Sequence, residues 1–152
     1  ADGDLHVGDE ALDALDIVVA SPHAALDGDG TDRLVAAIEH PAVDILGHPT
    51  GRLLNQRPGL EVEYERIGEA AAEHGVALEI NSNPNRLDRV GAAVKTPVDA
   101  GATTVVNTDT HHPRAMSYLR YGVHTEGRGW ATPEDVLNTW PVEEVQAFLG
   151  LE

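Results

Sequence analysis

The stretch Thr103-Thr104-Val105-Val106-Asn107-Thr108-Asp109-Thr110-His111-His112 joins a short apolar run to residue types that bind metal ions. Positions 103–107 are predicted to form a buried strand, because β-branched residues dominate the run. If the chain stays extended beyond it, Asp109 and His111 are two residues apart and point to the same side. A carboxylate oxygen and an imidazole nitrogen aimed at one point favour a metal site.

Three similar apolar runs precede this stretch, at 15–20, 43–47 and 76–81. Predicted helices separate them at intervals of roughly 30 residues, which predicts an α/β fold with a parallel sheet or barrel. The ends of the strands carry the chemistry in such folds. No glycine-rich dinucleotide or Walker pattern follows any strand. The helices are predicted at 9–14, 32–39, 62–73, 87–100, 113–119, from 132 and from 141, with a last short strand at 120–125.

His23 and His48 each follow a predicted strand directly, as Asp109 and His111 do. A single histidine there is commonly a hydrogen-bonded loop residue, but two at equivalent positions favour a shared metal site. Nitrogen and oxygen donors suit Mn²⁺, Zn²⁺ or Fe, and two ions would suit phosphoester hydrolysis. His112 should point the other way, toward the surface or a supporting position.

Several charged residues lie near the predicted strand ends. Arg52, Arg57 and Arg86 stand in loops after strands, where they could hold phosphate or form surface ion pairs. Glu79 lies inside a strand, where it could face the interior near the site or pair with an arginine. Both alternatives stay open for each residue.

The chain is strongly acidic, with 26 Asp and Glu against 10 Lys and Arg in 152 residues. A nucleic-acid binder normally shows a basic footprint. The acids are dispersed along the chain, which favours adaptation to a high-salt cytoplasm over an acidic interaction surface. Cysteine is absent, which excludes disulfides and thiolate zinc sites and fits a reducing, cytoplasmic location. No apolar run is long enough to cross a membrane.

The motifs "LDIVVASPH" at 15–23, "GHPTGRLL" at 47–54, "EINSNPNRLD" at 79–88, "VVNTDTHH" at 105–112 and the tail at 120–149 resemble a known family. They are similar to the C-terminal portion of the PHP (polymerase and histidinol phosphatase) domain. The version resembled most is the one fused to family X DNA polymerases in bacteria and archaea, in a haloarchaeal-like form. The resemblance covers the chain in order, and Pro22 stands where the family commonly has Val.

The resemblance implies a distorted (β/α)7, TIM-like barrel with a cluster of two or three Mn²⁺ or Zn²⁺ ions. The implied ligands are His23, His48, Asp109 and His111, and the last two are also the implied catalytic residues. The implied activity is 3′–5′ exonuclease and DNA end processing in base excision repair. DNA and an upstream polymerase domain are the implied partners, and Arg52 and Arg86 are expected to bind phosphate.

The family's His-x-His motif and its glutamate ligand are not among these residues. We therefore expect a C-terminal part of a larger protein, with an incomplete metal cluster and weak nuclease activity on its own. A stand-alone PHP phosphatase of the histidinol-phosphatase type and a non-catalytic docking domain are the alternatives. The edge strands of a partial barrel would also favour self-association.

Overall fold

A parallel sheet of four strands, which neighbour each other in the order in which they occur along the chain, organises the fold. The computed structural model describes residues 3–86 and 91–151. All four predicted strands are present, but the first two have only two residues each. Just before the first of them, Val18 donates its N–H to the Asp44 side chain at 2.7 Å. The strands are β1 (Val19–Ala20), β2 (Ile45–Leu46), β3 (Ala77–Asn81) and β4 (Thr104–Asn107).

Helices connect the strands at the predicted places. Gly75 ends the third helix with a left-handed φ of 67°, which glycine adopts without steric cost. No helix in the described ranges has the length and apolar character needed to span a membrane. The helices are α1 (Asp9–Leu12), α2 (Thr31–Ile38), α3 (Tyr64–His74), α4 (Ala92–Asp99), α5 (Leu119–Arg128) and α6 (Val142–Phe148), with 3₁₀ turns at Pro113–Tyr118, Pro133–Asp135 and Leu137–Thr139.

The predicted strand at 120–125 is wrong, because these residues lie within α5. Gly122, Thr125 and Glu126 are the buried residues of that helix, and their spacing is helical. The predicted helix at 113–119 is a 3₁₀ turn that runs directly into α5. The helix predicted from 132 is also only a 3₁₀ turn, capped by hydrogen bonds from Thr132 to the Asp135 carboxylate. Residues 87–90, the predicted start of α4, lie outside the described part.

The two faces of the sheet are buried against different elements. On one face, Leu46 and Leu78 join the largest apolar cluster, which includes residues of α2 and α3. On the other face, Ile45, Ala77 and Val105 pack against the C-terminal segment, which contributes Leu137, Trp140 and Phe148. The described residues thus show a parallel sheet covered on both faces, whereas the closed barrel stays a prediction.

The two outer edges of the sheet differ. At β4, the Asn138 side chain accepts from the Val106 N–H at 2.6 Å and donates to the Val106 carbonyl at 3.1 Å. It therefore makes the pair of bonds that a neighbouring strand would make. At β1, no strand among the described residues pairs with the outer edge. Leu15, Ile17 and Val19 there are 56%, 42% and 50% exposed.

Candidate metal and phosphate site

Polar side chains collect at the carboxyl edge of the sheet, where the four parallel strands end together. His23 follows β1, His48 follows β2, and Asp109 and His111 follow β4. Arg86 lies in the loop after β3. The structure therefore places these candidates at one edge of the sheet, at the strand ends that the sequence predicts.

His23 and His48 are direct neighbours. Their ring centroids are 5.1 Å apart and the rings meet edge to face at 82°. His48 is 5% exposed, whereas His23 is exposed and lines a cavity of about 530 Å³ beside β1. The pairing of the first two predicted ligands thus places one buried and one accessible imidazole side by side.

Glu79 fixes the backbone at His48. His48 has a φ of 26°, an uncommon conformation for a residue with a side chain. Its N–H donates to Glu79 Oε2 at 2.6 Å. This charge-assisted bond holds the strained turn that carries the imidazole. Glu79 thus supports the site through the backbone, rather than through the arginine pair considered from the sequence.

A layer of amides surrounds the buried Glu79 carboxylate. Asn81 donates to Glu79 Oε2 at 3.4 Å, and the Asn107 side chain also hydrogen-bonds to this carboxylate. Burial raises the pKa of Glu79, while these hydrogen bonds oppose the rise. The sequence assigned a role to neither asparagine, although Asn81 lies at a predicted strand end. Side chains alternate between the two faces of a strand, so Asn81 lies on the same face as Glu79. Asn107 pairs with Asn81 in the observed register and therefore lies on that face too.

The His48 imidazole is held in its neutral form. Burial, together with the nearby positive charge of Arg86, lowers its pKa from 6.5 to about 4. Nδ1 is buried and receives no hydrogen bond from the described residues. A neutral imidazole is the form that binds metal ions, so His48 is prepared for a ligand that protonation would exclude.

Asp109 and His111 do not follow the extended geometry assumed from the sequence. Asp109 has a left-handed φ of 47°, so the chain turns there. His111 Nδ1 lies 3.0 Å from the Asp109 carbonyl oxygen, and the His111 ring is exposed. The expectation of two side chains aligned by an extended strand is therefore wrong. His112 is exposed, as expected, and its ring accepts from the Arg114 N–H at 3.2 Å.

Arg86 lies beside the Asp109 carboxylate. Its Nη2 is 3.6 Å from Asp109 Oδ2, and its side chain is 12% exposed. Its Nη1 is buried without a hydrogen-bond partner in the described residues. Arg52 is half-buried, and its backbone N–H donates to Thr50 Oγ1 at 3.3 Å. Arg57 is committed to its own loop, because its Nε donates to the Gly51 carbonyl at 2.6 Å.

The four proposed ligands have suitable donor atoms, but they do not form a complete coordination group. Within residues 3–86 and 91–151, no three His, Asp or Glu side chains gather closely enough to hold a metal ion. The structure brings together His23 with His48, and the Asp109 carbonyl with His111. Convergence of all four side chains on one ion stays a prediction.

Comparison with known proteins finds relatives of two kinds. The DNA polymerase/3′-5′ exonuclease PolX of Bacillus subtilis (strain 168) is 36% identical over 151 residues, which cover 97% of this chain and 26% of that protein. A probable phosphatase of Shewanella sp. (strain ANA-3) is 32% identical over 121 residues, covering 72% of this chain and 46% of that protein. The probable phosphatase YcdX of Shigella dysenteriae is 28% identical over 92% of this chain and 59% of its own length.

The chain therefore spans between about a quarter and three-fifths of the length of these curated relatives. No family model matches the chain. The relatives support the relationship to PHP-domain proteins that the motifs indicate. All three are bacterial, so they give no support to a haloarchaeal kind.

Proposed function

We propose that this chain is part of a PHP phosphoesterase that hydrolyses phosphate esters with the help of Mn²⁺ or Zn²⁺. The observation that carries the proposal is the buried, neutral His48, held by Glu79 at the carboxyl edge of the sheet beside the exposed His23. Relatives named as an exonuclease and as phosphatases align with nearly the whole chain. One phosphoester chemistry would account for both names.

In this proposal, His23, His48, Asp109 and His111 hold the ions, and a bound ion would activate water for attack on phosphorus. The protein's own residues have separate tasks. Glu79 orients the turn that presents His48. Arg86 is the first proposed phosphate contact, because its buried Nη1 has no hydrogen-bond partner in the described residues while its Nη2 stays near Asp109. Arg52 is the second proposed phosphate contact.

We propose a DNA 3′ end as the substrate, processed during base excision repair in a protein that also carries a polymerase domain. The supporting observation is that the polymerase–exonuclease relative has the higher identity, over 97% of this chain. Hydrolysis of a small phosphomonoester is the second candidate, favoured by phosphatase relatives that align with up to 92% of the chain. A docking domain without catalysis is the third.

The test uses the 152-residue chain and two substrates, p-nitrophenyl phosphate and a 5′-labelled oligonucleotide, each with added Mn²⁺ or Zn²⁺. We expect weak activity, because the described residues do not form a complete metal group. His48→Ala and Asp109→Asn should reduce it at least tenfold, since both change the site. His74→Ala, at the exposed end of α3, is the matched control.

The pattern of products distinguishes the three candidates. Shortening of the oligonucleotide from its 3′ end supports the nuclease, and phosphate release from the monoester alone supports the phosphatase. No turnover of either substrate, together with no metal retained after desalting, would favour the docking domain. An activity that is equal in the His48→Ala variant would place the chemistry elsewhere.

A further inference from the structure

Helix α5 differs in charge from every other helix in the described residues. Each of the other five presents at least one exposed acid, as Asp32 does on α2 and Asp99 on α4. The single acid of α5, Glu126, is buried. The charged or ionisable residues at the exposed positions of α5 are Arg120, His124 and Arg128. An anionic partner that approached α5 would therefore meet no exposed carboxylate of this helix.

The contrast extends to the sequence around α5. Residues 110–133 contain three arginines and one glutamate, a net charge of +2 in a chain whose net charge is −16. The rest of the chain has 25 acidic and seven basic residues. A local excess of positive charge against this background is a basic footprint of the kind that nucleic-acid binding requires. The composition of the whole chain conceals it.

The three cationic or ionisable side chains form a row. Arg120, His124 and Arg128 are spaced four residues apart, so they lie on one face at steps of about 6 Å along the axis. Among the described residues, no carboxylate pairs with Arg120 or Arg128. Arg120 Nη2 donates to the Tyr121 hydroxyl at 2.9 Å, so its remaining guanidinium N–H groups and those of Arg128 are available to phosphate oxygens.

Aromatic side chains accompany this row. The ring centroids of Tyr118 and Tyr121 lie 6.1 Å apart, and the Arg120 guanidinium carbon lies 4.8 Å from the centroid of the Tyr121 ring. Trp130, just beyond α5, is 81% exposed. The chain has only six Phe, Trp and Tyr residues in total, and these three are half of them. Solvent-accessible rings beside arginines are the combination on which unpaired bases stack.

The surface begins next to the candidate site. The 3₁₀ turn Pro113–Tyr118 starts two residues after His111, and α5 continues from it for about 15 Å. We propose that this turn and α5 bind a single nucleic-acid strand, with its phosphates on Arg120 and Arg128 and its bases on the aromatic rings. The inference rests on the proposed function and deepens it, because such a strand would lead its end toward Asp109 and His111.

An anionic membrane is the competing partner, since Met116, Leu119 and Val123 expose apolar surface beside the row. The nucleic-acid strand fits better for two reasons. The helix has only ten residues, and the Tyr121 ring stacks with the Arg120 guanidinium.

The test measures the anisotropy of a fluorescein-labelled 15-nucleotide single strand at several salt concentrations, with EDTA present to prevent hydrolysis. The variant is Arg120→Gln/Arg128→Gln. Its control is Arg66→Gln/Lys95→Gln, which removes the same net charge from α3 and α4, where both residues pair with acids. We expect at least fivefold weaker binding for the first variant and less than twofold for the control. The first variant should also lower the salt slope by about 1.4, since each lost phosphate contact removes about 0.7.

Three results would overturn the inference: no binding by the unchanged chain at low salt, equal weakening in both double variants, or α5-dependent binding to phosphatidylglycerol vesicles but not to the oligonucleotide. Trp130→Ala should weaken oligonucleotide binding without changing its salt slope, because stacking releases no counterions. Hydrolysis of p-nitrophenyl phosphate reports separately on the proposed function. It should be unchanged in the α5 variant, so the two proposals can fail independently.

Discussion

His48 should make the stability of the protein depend on pH. Its pKa is lowered to about 4 in the folded chain from an ordinary value of 6.5. The unfolded chain therefore binds more protons between these values, so stabilisation present above pH 6.5 is lost as the pH falls toward 4. The shift corresponds to about 3 kcal/mol of unfolding free energy. Urea unfolding at pH 7 and pH 4.5, with EDTA present, measures it.

His48→Gln should remove most of this pH dependence, whereas His74→Gln, on an exposed residue, should retain it. Equal slopes in the two variants would show that other groups account for the loss of stability in acid.

Glu79 gives a second prediction at the scale of single residues. Glu79→Ala would leave the buried His48 N–H without its acceptor, which costs about 1–3 kcal/mol. Glu79→Gln keeps a carbonyl acceptor and removes a buried charge, so its loss should be smaller. Urea denaturation of both variants at pH 7 gives the comparison. A Gln variant that is less stable than the Ala variant would contradict the assigned role of the hydrogen bond.

The residue types and their strand-end positions were predictable from the sequence, but the backbone conformations were not. Asp-x-His after a strand suggests two side chains on one side only if the chain remains extended. Asp109 instead adopts a left-handed conformation, and His48 also has a positive φ. Such conformations are uncommon for residues other than glycine. They depend on tertiary contacts such as the bond from His48 to Glu79, which no local pattern reveals.

Two glycines of α5 should respond in opposite ways to the same substitution. A Cβ on Gly122 would overlap Ser82 Oγ and Val106 Cγ1, because the helix packs closely on β3 and β4 there. Gly122→Ala should therefore destabilise the protein by about 1–3 kcal/mol. A Cβ on Gly127 meets nothing within 4 Å. Gly127→Ala should stabilise by about 0.5–1 kcal/mol, because alanine favours the helix.

Thermal unfolding of the two glycine variants measures the sign of both stability changes within one helix. Destabilisation by both substitutions would mean that α5 tolerates no added side chain. Stabilisation by both would mean that its contact with the sheet is looser than these distances indicate.

The order and type of most elements followed from periodicity, and the exceptions include the length of β1 and the type of the segment 120–125. β1 was predicted to span six residues and has two. Asp44 supplies a side-chain acceptor to Val18 at its start, where a strand would supply a carbonyl. The segment 120–125 has the β-branched and aromatic residues of a strand. It is nevertheless helical, and Gly122 packs closely against Ser82 and Val106.

The net charge of −16 gives a prediction for the whole molecule. Repulsion between acids destabilises the folded chain and is screened by salt, so KCl should raise the unfolding free energy. Screening alone is nearly complete at about 1 M, where the Debye length is about 3 Å. If the predicted high-salt adaptation is correct, stability will continue to rise from about 1 to about 3 M KCl in urea titrations. A plateau by about 1 M would leave screening as the sufficient explanation.

The unequal edges of the sheet limit how copies of this chain could assemble. Asn138 occupies the hydrogen-bonding groups of Val106 at one edge, whereas the edge at β1 has no neighbouring strand among the described residues. Continuous strand addition needs two open edges on each copy, as in a fibre. With one edge closed, two copies that joined through β1 would have no further edge to offer. Association by this route would therefore stop at a two-fold pair.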